Sequence, residues 1–416
     1  MRITSTLLFA FALCLTVAHA APGAIAPPVS WVDSDTGRRV IRLTDEPGSF
    51  GLYFNLNACT PDGREMVYNA PDGIRVLNFA TLKSRLVVAG AIHAIQVGNK
   101  TPSVFYVKRQ EHALYSTNVD TGETKKLAVL PPQGGVATVN ADETLAAGTY
   151  IEGAGFDFNQ GPGSHPSSGL VQPVNKGKMM EQRLAAHLPM ALFTIDLHTG
   201  KIRILLHTTD WLDHLLFSPT DPTLLNYCHQ GPWQSVDANW TIRTDGSQNT
   251  LIHNRTMEME IAGHEFWGWD GKVTWYDLQF PLGKVFYLAG YNVETHERTW
   301  YCLGRDDWSI HFNVSQKGDL FCGDGGDPGQ VAKAPGGEWI ELFHPEMLHN
   351  TGVAGKDLIH PGVLRTVHLV NMSKHDYKLE PNVRFSPDGR LVIFTSNMFG
   401  PSYVFGVEVA AAQDRK

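Results

Sequence analysis

Cysteine is scarce in this chain and none of it is spaced for a metal. Cys14, Cys59, Cys228, Cys302 and Cys322 stand far apart, with no C-x-x-C step among them. That excludes a zinc-thiolate module and makes no disulfide necessary, so the last four read as small buried apolar groups. Positive charge is also short: Lys and Arg total 34 against 42 Asp and Glu, for a formal net charge of −8. A nucleic-acid partner is therefore not expected, although a local cationic site for an anionic sugar remains compatible with the balance. Beyond the first residues there is no apolar run near the roughly 20 residues that cross a bilayer, so no membrane span is expected. Nor does a Pro/Ser/Gly linker divide the chain, and residues 21–416 read as a single domain.

The one long apolar stretch is at the start. Met1-Arg2-Ile3 precedes an apolar run over 7–17 and then Ala18-His19-Ala20, the charge, core and small-residue pattern of a secretory signal over residues 1–20. A periplasmic or secreted product follows from that reading.

The rest of the chain has a beat. Polar turn tips flanked by apolar or β-branched residues recur at Asp35-Thr36-Gly37, Asn78-Phe79-Ala80-Thr81, Asp120-Thr121-Gly122, His198-Thr199-Gly200, Thr244-Asp245-Gly246, Glu294-Thr295-His296 and Asn371-Met372-Ser373. Between them fall seven strand starts, such as Thr60-Pro61-Asp62-Gly63, Trp269-Asp270-Gly271 and Ser386-Pro387-Asp388-Gly389. The period is roughly 45 to 50 residues, and the two longer gaps hold expected insertions at 153–189 and 325–361, the first with a short helix over 178–186. Hairpins at such a period predict an all-β, seven-bladed β-propeller. The strand over 40–43 is expected to join the last blade, formed by 391–409, and so close the ring.

In a propeller, the segment entering the innermost strand of each blade crosses one face beside the central channel. His214, His264 and His311 occupy that offset in successive repeats, and Glu380 and Asn382 occupy it in the last. Alone, each histidine reads as a hydrogen-bonded structural residue; together they converge, which is the pattern of a binding site. Imidazole with carboxylate and amide oxygens suits Mn²⁺, Ca²⁺ or Mg²⁺, and His311, Glu380 and Asn382 are the candidate ligands. His264 is then left as a candidate base, its ordinary pKa lying near neutrality. Glu265, on the other side of an extended strand, is assigned to structure. Seven of the ten tryptophans lie between Trp233 and Trp308, which suits either sugar-ring stacking, as at Trp267, or packing between blades.

Five segments in order resemble the signatures of the oligogalacturonate lyases: Trp211-Leu212-Asp213-His214, Tyr227-Cys228-His229-Gln230-Gly231-Pro232, Val236-Asp237-Ala238, Thr244-Asp245-Gly246 and His264-Glu265-Phe266-Trp267. The resemblance covers most of the chain. It implies a seven-bladed propeller that cleaves short galacturonides from pectin by β-elimination with bound Mn²⁺, His264 matching the base and His311 one metal ligand. Two positions depart from the family. Its Gln-x-x-His-x-His metal motif is replaced by Tyr377, Glu380 and Asn382, and the arginine after Asp237-Ala238 by Asn239. Arg183 or Arg243 is the expected substitute for the lost positive charge, with His214, His229, Asn239 and Trp267 as further substrate contacts. The expected partner is an acidic oligosaccharide; a lyase on another acidic glycan and a non-catalytic sugar-binding propeller are the alternatives.

Overall fold

The computed structural model describes residues 27–153, 176–329, 334–350, 352, 355 and 357–410. The expected signal over 1–20 and most of the first expected insertion lie outside the described residues. The strands are short runs of β-branched and aromatic residues, such as Ser103–Lys108 and Leu391–Ser396, which suit a pleated surface buried on both faces.

Seven antiparallel blades succeed one another. The first is Glu65–Ala70, Gly73–Asn78 and Lys83–Ala89, with Cys59 bridging Met66 on its inner side. The second runs Ala94–Val97, Ser103–Lys108, Ala113–Asn118 and Thr124–Val129. Gly135–Val139, Leu145–Ile151, Met190–Asp196 and Ile202–Thr208 make the third, and Trp211–Phe217, Leu224–Gln230, Asn239–Arg243 and Thr250–Leu251 the fourth. The fifth is Ile261–Trp267, Val273–Gln279, Phe286–Asn292 and Arg298–Cys302. The sixth is Phe312–Val314, Phe321–Gly323, Trp339–Met347 and His360–Asn371. Arg384–Phe385, Leu391–Ser396 and Tyr403–Glu408 form the seventh, completed from the other end of the chain by Arg39–Arg42 and Ser30–Val32. Val40 pairs with Val407 across that seam, so the ring closes as the sequence predicts.

All seven strand-start turns lead into the second strand of a blade. Six of the seven expected tips are hairpins; Asn371-Met372-Ser373 instead follows the last strand of the sixth blade. The reason is that Trp339–Met347 and His360–Asn371 are unusually long, and their hairpin falls at 348–359. Residues 339–347 and 360–361 of the stretch 325–361, expected as an insertion, are thus blade strand. The extra length has a use: residues His360 to Val363 pair in parallel with Thr299 to Cys302, fusing the fifth and sixth blades into one sheet. The expected helix is present as Lys176–Ala186, between the second and third strands of the third blade. Cys59, Cys228 and Cys322 are buried free thiols.

The central channel is filled by the chain between the closing strand and the first blade. Asn57 Nδ2 donates to Val97 O of the second blade (3.1 Å), Asn55 Nδ2 to Glu265 O of the fifth (2.8 Å), and Phe54 accepts at its carbonyl from Asn313 of the sixth (3.1 Å). From the seventh, buried Arg384 donates to the carbonyls of Leu56 and Tyr53, each at 2.8 Å. One segment touching four innermost strands must run along the axis. Its carbonyls at Tyr53, Phe54 and Leu56 are satisfied by Arg384 and Asn313, while its own Asn55 and Asn57 side chains serve carbonyls of the blades, as buried peptide groups require.

Candidate functional site

The innermost strands of the fourth and fifth blades are both bulged. Their register shifts between Asp213 and Leu216 and between Gly263 and Phe266, and within each bulge a histidine takes left-handed backbone: φ is 48° at His214 and 51° at His264. A non-glycine residue in this region is strained, and a bulge re-aims the side chain it carries. Both rings thereby turn to one another, with centroids 6.3 Å apart, and His264 meets His311 of the sixth blade at 5.0 Å. Asn382 of the seventh has φ 55°. The crossings converge as expected.

His264 Nδ1 lies 2.9 Å from Asp277 Oδ1 on the neighbouring strand, Asp277 being 1% exposed. An ionised carboxylate only accepts, so this contact assigns the proton to Nδ1 and the lone pair to Nε2. His311, wholly buried, repeats the arrangement: Nδ1 is 2.7 Å from Asp324 Oδ2, while its backbone N–H donates to Asp324 Oδ1 at 2.8 Å. Its Nε2 has no hydrogen-bond partner and lies 3.8 Å from Glu380 Oε2. A buried imidazole lone pair facing a carboxylate, with the other nitrogen held by a second carboxylate, is the donor arrangement of a metal-ligating histidine. Asp324 reaches it because the glycines beside it allow close approach: a Cβ on Gly323 would fall 2.1 Å from Ser309 Oγ, and Gly325 has φ 62°.

Phe54 and Tyr53 form the floor. Phe54 stacks on His311 at 4.5 Å, and Tyr53 lies edge-on to His311 (5.3 Å) and His214 (5.7 Å). Burial first, then the charges of Glu380, Glu265, Asp213 and Asp324, raise the Tyr53 hydroxyl well above its ordinary pKa and keep it protonated. Glu265 is 1% exposed and poorly hydrogen-bonded, with the Cys228 thiol beside it, and burial pushes its pKa up to about 7. Beside His214, Gln230 Nε2 lies 3.2 Å from the ring Nε2. On the same side of the fourth blade Arg183 covers the face of Trp211 at 4.1 Å; burial lowers its pKa to about 10, opposed by Asp213, and leaves it cationic at neutral pH.

Several expected contacts lie elsewhere. Asn382 is not placed as a metal ligand: its Oδ1 accepts the Phe54 N–H (3.1 Å) and its Nδ2 donates to Glu380 O (3.0 Å), tying floor to wall. Arg243 sits at the far end of the fourth blade, bound to Asp221, Thr223 and Gln248. Asn239 is fully buried and accepts from Asn226 at 2.8 Å. Trp267 donates to Leu216 O (3.1 Å) and packs with Leu216 and Leu224, three residues along an extended strand from His264 and toward the other mouth. It lines a cavity there with Asn57, Gln96, Trp269 and Pro387, away from the histidines. His229 stacks on Trp240 at 4.9 Å with Asp210 3.6 Å away, and burial lowers its pKa. Asp277, Asp324, Tyr53 and Phe54 are the residues that sequence reasoning missed. An aspartate inside the apolar strand Val273–Gln279 was the one signal for the first.

The model of the oligogalacturonate lyase family matches residues 28–412. The oligogalacturonide lyase of Pectobacterium atrosepticum is 24% identical over 391 residues, covering 91% of this chain and 95% of that protein. The oligogalacturonate lyase of Dickeya dadantii is 23% identical with the same coverage. Among solved structures, an oligogalacturonate lyase in complex with manganese superposes with a TM-score of 0.72 at 21% identity, covering 92% of this chain and 96% of that one. The enzyme from Vibrio parahaemolyticus gives 0.73 at 23% identity, with the same coverage.

Proposed function

Since the chain belongs to the oligogalacturonate lyase family, we propose that it cleaves oligogalacturonide-like uronides by β-elimination, with His264 as base. The observation that carries this reading is the bulge at His264, which turns into the channel a ring whose Nδ1 is held by buried Asp277.

In a 4-linked uronate the C5 proton sits beside a carboxylate, so its removal builds negative charge next to negative charge. His264 accepts that proton at Nε2, and Asp277 stabilises the imidazolium that forms. The C5–H electron pair becomes the C4=C5 bond as the C4–O bond breaks. The departing oxygen takes up a proton from water, leaving a 4,5-unsaturated ring, and the imidazolium of His264 returns its proton to solvent. His311 Nε2 and Glu380 are the residues fitted to hold a divalent cation, which when bound supplies Lewis-acid neutralisation of the substrate carboxylate. The mixed nitrogen and oxygen donors, and the manganese of a structural relative, favour Mn²⁺ over Ca²⁺ or Mg²⁺. Arg183 adds the chain's own positive charge on the His214 side. Tyr53, kept protonated, packs beneath His214 and His311 as part of the floor. The N-terminal pattern over 1–20 supports action in the periplasm or outside the cell.

Glu380 and Asn382 in place of two family histidines favour one second reading, a lyase acting on a different acidic glycan. Absorbance of the unsaturated product decides between them: it rises with oligogalacturonides for the wild type and not for His264→Ala. A rise only with other uronides moves the substrate, and no rise with any uronide leaves a sugar-binding propeller. The cation is read separately by Mn²⁺ electron paramagnetic resonance, where protein quenches the free-ion signal and Glu380→Gln lowers the number of ions quenched per chain.

A further inference from the structure

A second cluster lies on the outer side of the sixth blade, apart from the histidines of the channel. Glu341 and His368 face each other across the long hairpin, directly opposite in register at a bulge between Ile340 and Glu341. Asp307 approaches from the segment that enters the innermost strand. One donor atom from each of the three lies within 4.8 Å of the other two. His368 Nε2 is 3.5 Å from Asp307 Oδ1 and 3.8 Å from Glu341 Oε1. Those separations are too long for hydrogen bonds. They match two ligands of one ion, since tetrahedral bonds of ~2.1 Å place ligand atoms about 3.4 Å apart.

Glu341 is the informative member. It is wholly buried; its Oε2 accepts from Ser309 Oγ at 2.7 Å, while Oε1, aimed into the cluster, has no hydrogen-bond partner. A buried carboxylate oxygen left without a donor is costly unless something positive meets it. His368 is fixed in plane by stacking on Trp339, with centroids 4.4 Å apart and planes 8° apart. The side chains of Asp307 and His368 are 25% and 36% exposed, so the cluster opens to solvent and an ion has a way in.

We propose that Asp307, Glu341 and His368 bind a divalent transition-metal ion, a site separate from the one at His311 and Glu380. One imidazole nitrogen with two carboxylate oxygens suits Zn²⁺ or Mn²⁺ better than Ca²⁺, which takes oxygen alone. The ion's task there is to brace. Ser309 Oγ, bonded to Glu341, also accepts the N–H of Gly325 at 3.1 Å, and so connects the cluster to the Asp324 turn that holds His311. Without a cation, burial and then the charges of Asp307 and Asp324 raise the Glu341 carboxyl well above its ordinary pKa.

Calorimetric titration of the metal-stripped protein with ZnCl₂, MnCl₂ and CaCl₂ tests this. The wild type is expected to bind Zn²⁺ or Mn²⁺ with an equivalent that Asp307→Asn/His368→Gln lacks and Glu380→Gln keeps. The exposed partners are substituted because Glu341→Gln changes a buried residue. Circular dichroism of the double variant is expected to match the wild type; if it does not, His368→Gln alone, at the more exposed ligand, gives the comparison. Titrations of wild type and variant that coincide overturn the site, as does failure of the wild type to bind either ion. Preferential Ca²⁺ binding overturns the ion class. Because Glu380→Gln touches only the channel site, failure of that site leaves this result readable.

Discussion

Glu265→Gln separates the cost of a buried acid from the work of the histidine next to it. The wild-type carboxyl has a pKa of about 7 in the fold, because burial disfavours its charge, against an ordinary value near 4.3 in the unfolded chain. The folded state thus holds the proton more tightly. Below about pH 4 the group is neutral in both states and has no effect. As pH rises the unfolded chain ionises first, and stability is lost progressively until about pH 7, after which the deficit is constant. A difference of about 2.7 pK units at 1.36 kcal/mol each makes that deficit roughly 3 to 4 kcal/mol. Glutamine keeps the shape and removes the titration, but leaves an amide as poorly bonded as the carboxyl. A penalty of about 1 to 2 kcal/mol for that amide leaves a net gain of roughly 1 to 3 kcal/mol at pH 8. At pH 4.5 the gain should vanish or reverse. Urea unfolding of both proteins at intervals from pH 4.5 to 8.5 measures the difference directly. Curves that stay parallel across the range would refute the reasoning, because a difference without pH dependence cannot come from this carboxyl.

Other perturbations follow from the same geometry. Asp277→Asn should lower kcat by about 10²- to 10⁴-fold with little change in KM, since the amide allows the wrong imidazole tautomer; an unaltered kcat in the product assay would remove Asp277 from the mechanism. Arg183→Ala should lower kcat/KM by about 10- to 100-fold, the worth of one hydrogen bond to a charged group, whereas Arg243→Ala, at the far end of its blade, should leave turnover alone. Equal effects of the two on steady-state kinetics would contradict the placement. Phe54→Ala should cost about 3 to 5 kcal/mol in a denaturant melt, for a large ring buried against His311; a loss under 1 kcal/mol would mean that the channel floor repacks.

The ring was legible because its punctuation is chemical. Asp-Gly and Thr-Gly tips can hardly be anything but turns, and the period of the repeat left the strand around Val40 to close the last blade. Position in the repeat then located His214, His264, His311 and Glu380 on one mouth. What that count could not carry was direction within a blade. Trp267 follows His264 by three residues and Arg243 follows Asn239 by four, yet an extended strand moves each toward the opposite mouth. Asn382 had the right offset, but its amide is engaged by Phe54, a residue 328 positions earlier in the chain. The stretch holding Tyr53 and Phe54 has no alternation to read, since it belongs to no blade. Asp324 stands between two glycines, a setting that marks a close approach but names no partner. Its partnership with His311 depends on a hairpin packing that no local pattern encodes.

The threaded segment ties two events together. Residues 39–42 zip the first end of the chain to the last, and about ten residues later the same stretch becomes the bed on which His311 lies. A propeller unzipped at that seam does not become a looser enzyme; its channel stands open and its histidines have nothing beneath them. Circular permutation at the exposed hairpin tips should be tolerated, while a break between Leu43 and Cys59 should uncouple the clasp from the hearth it was built to hold.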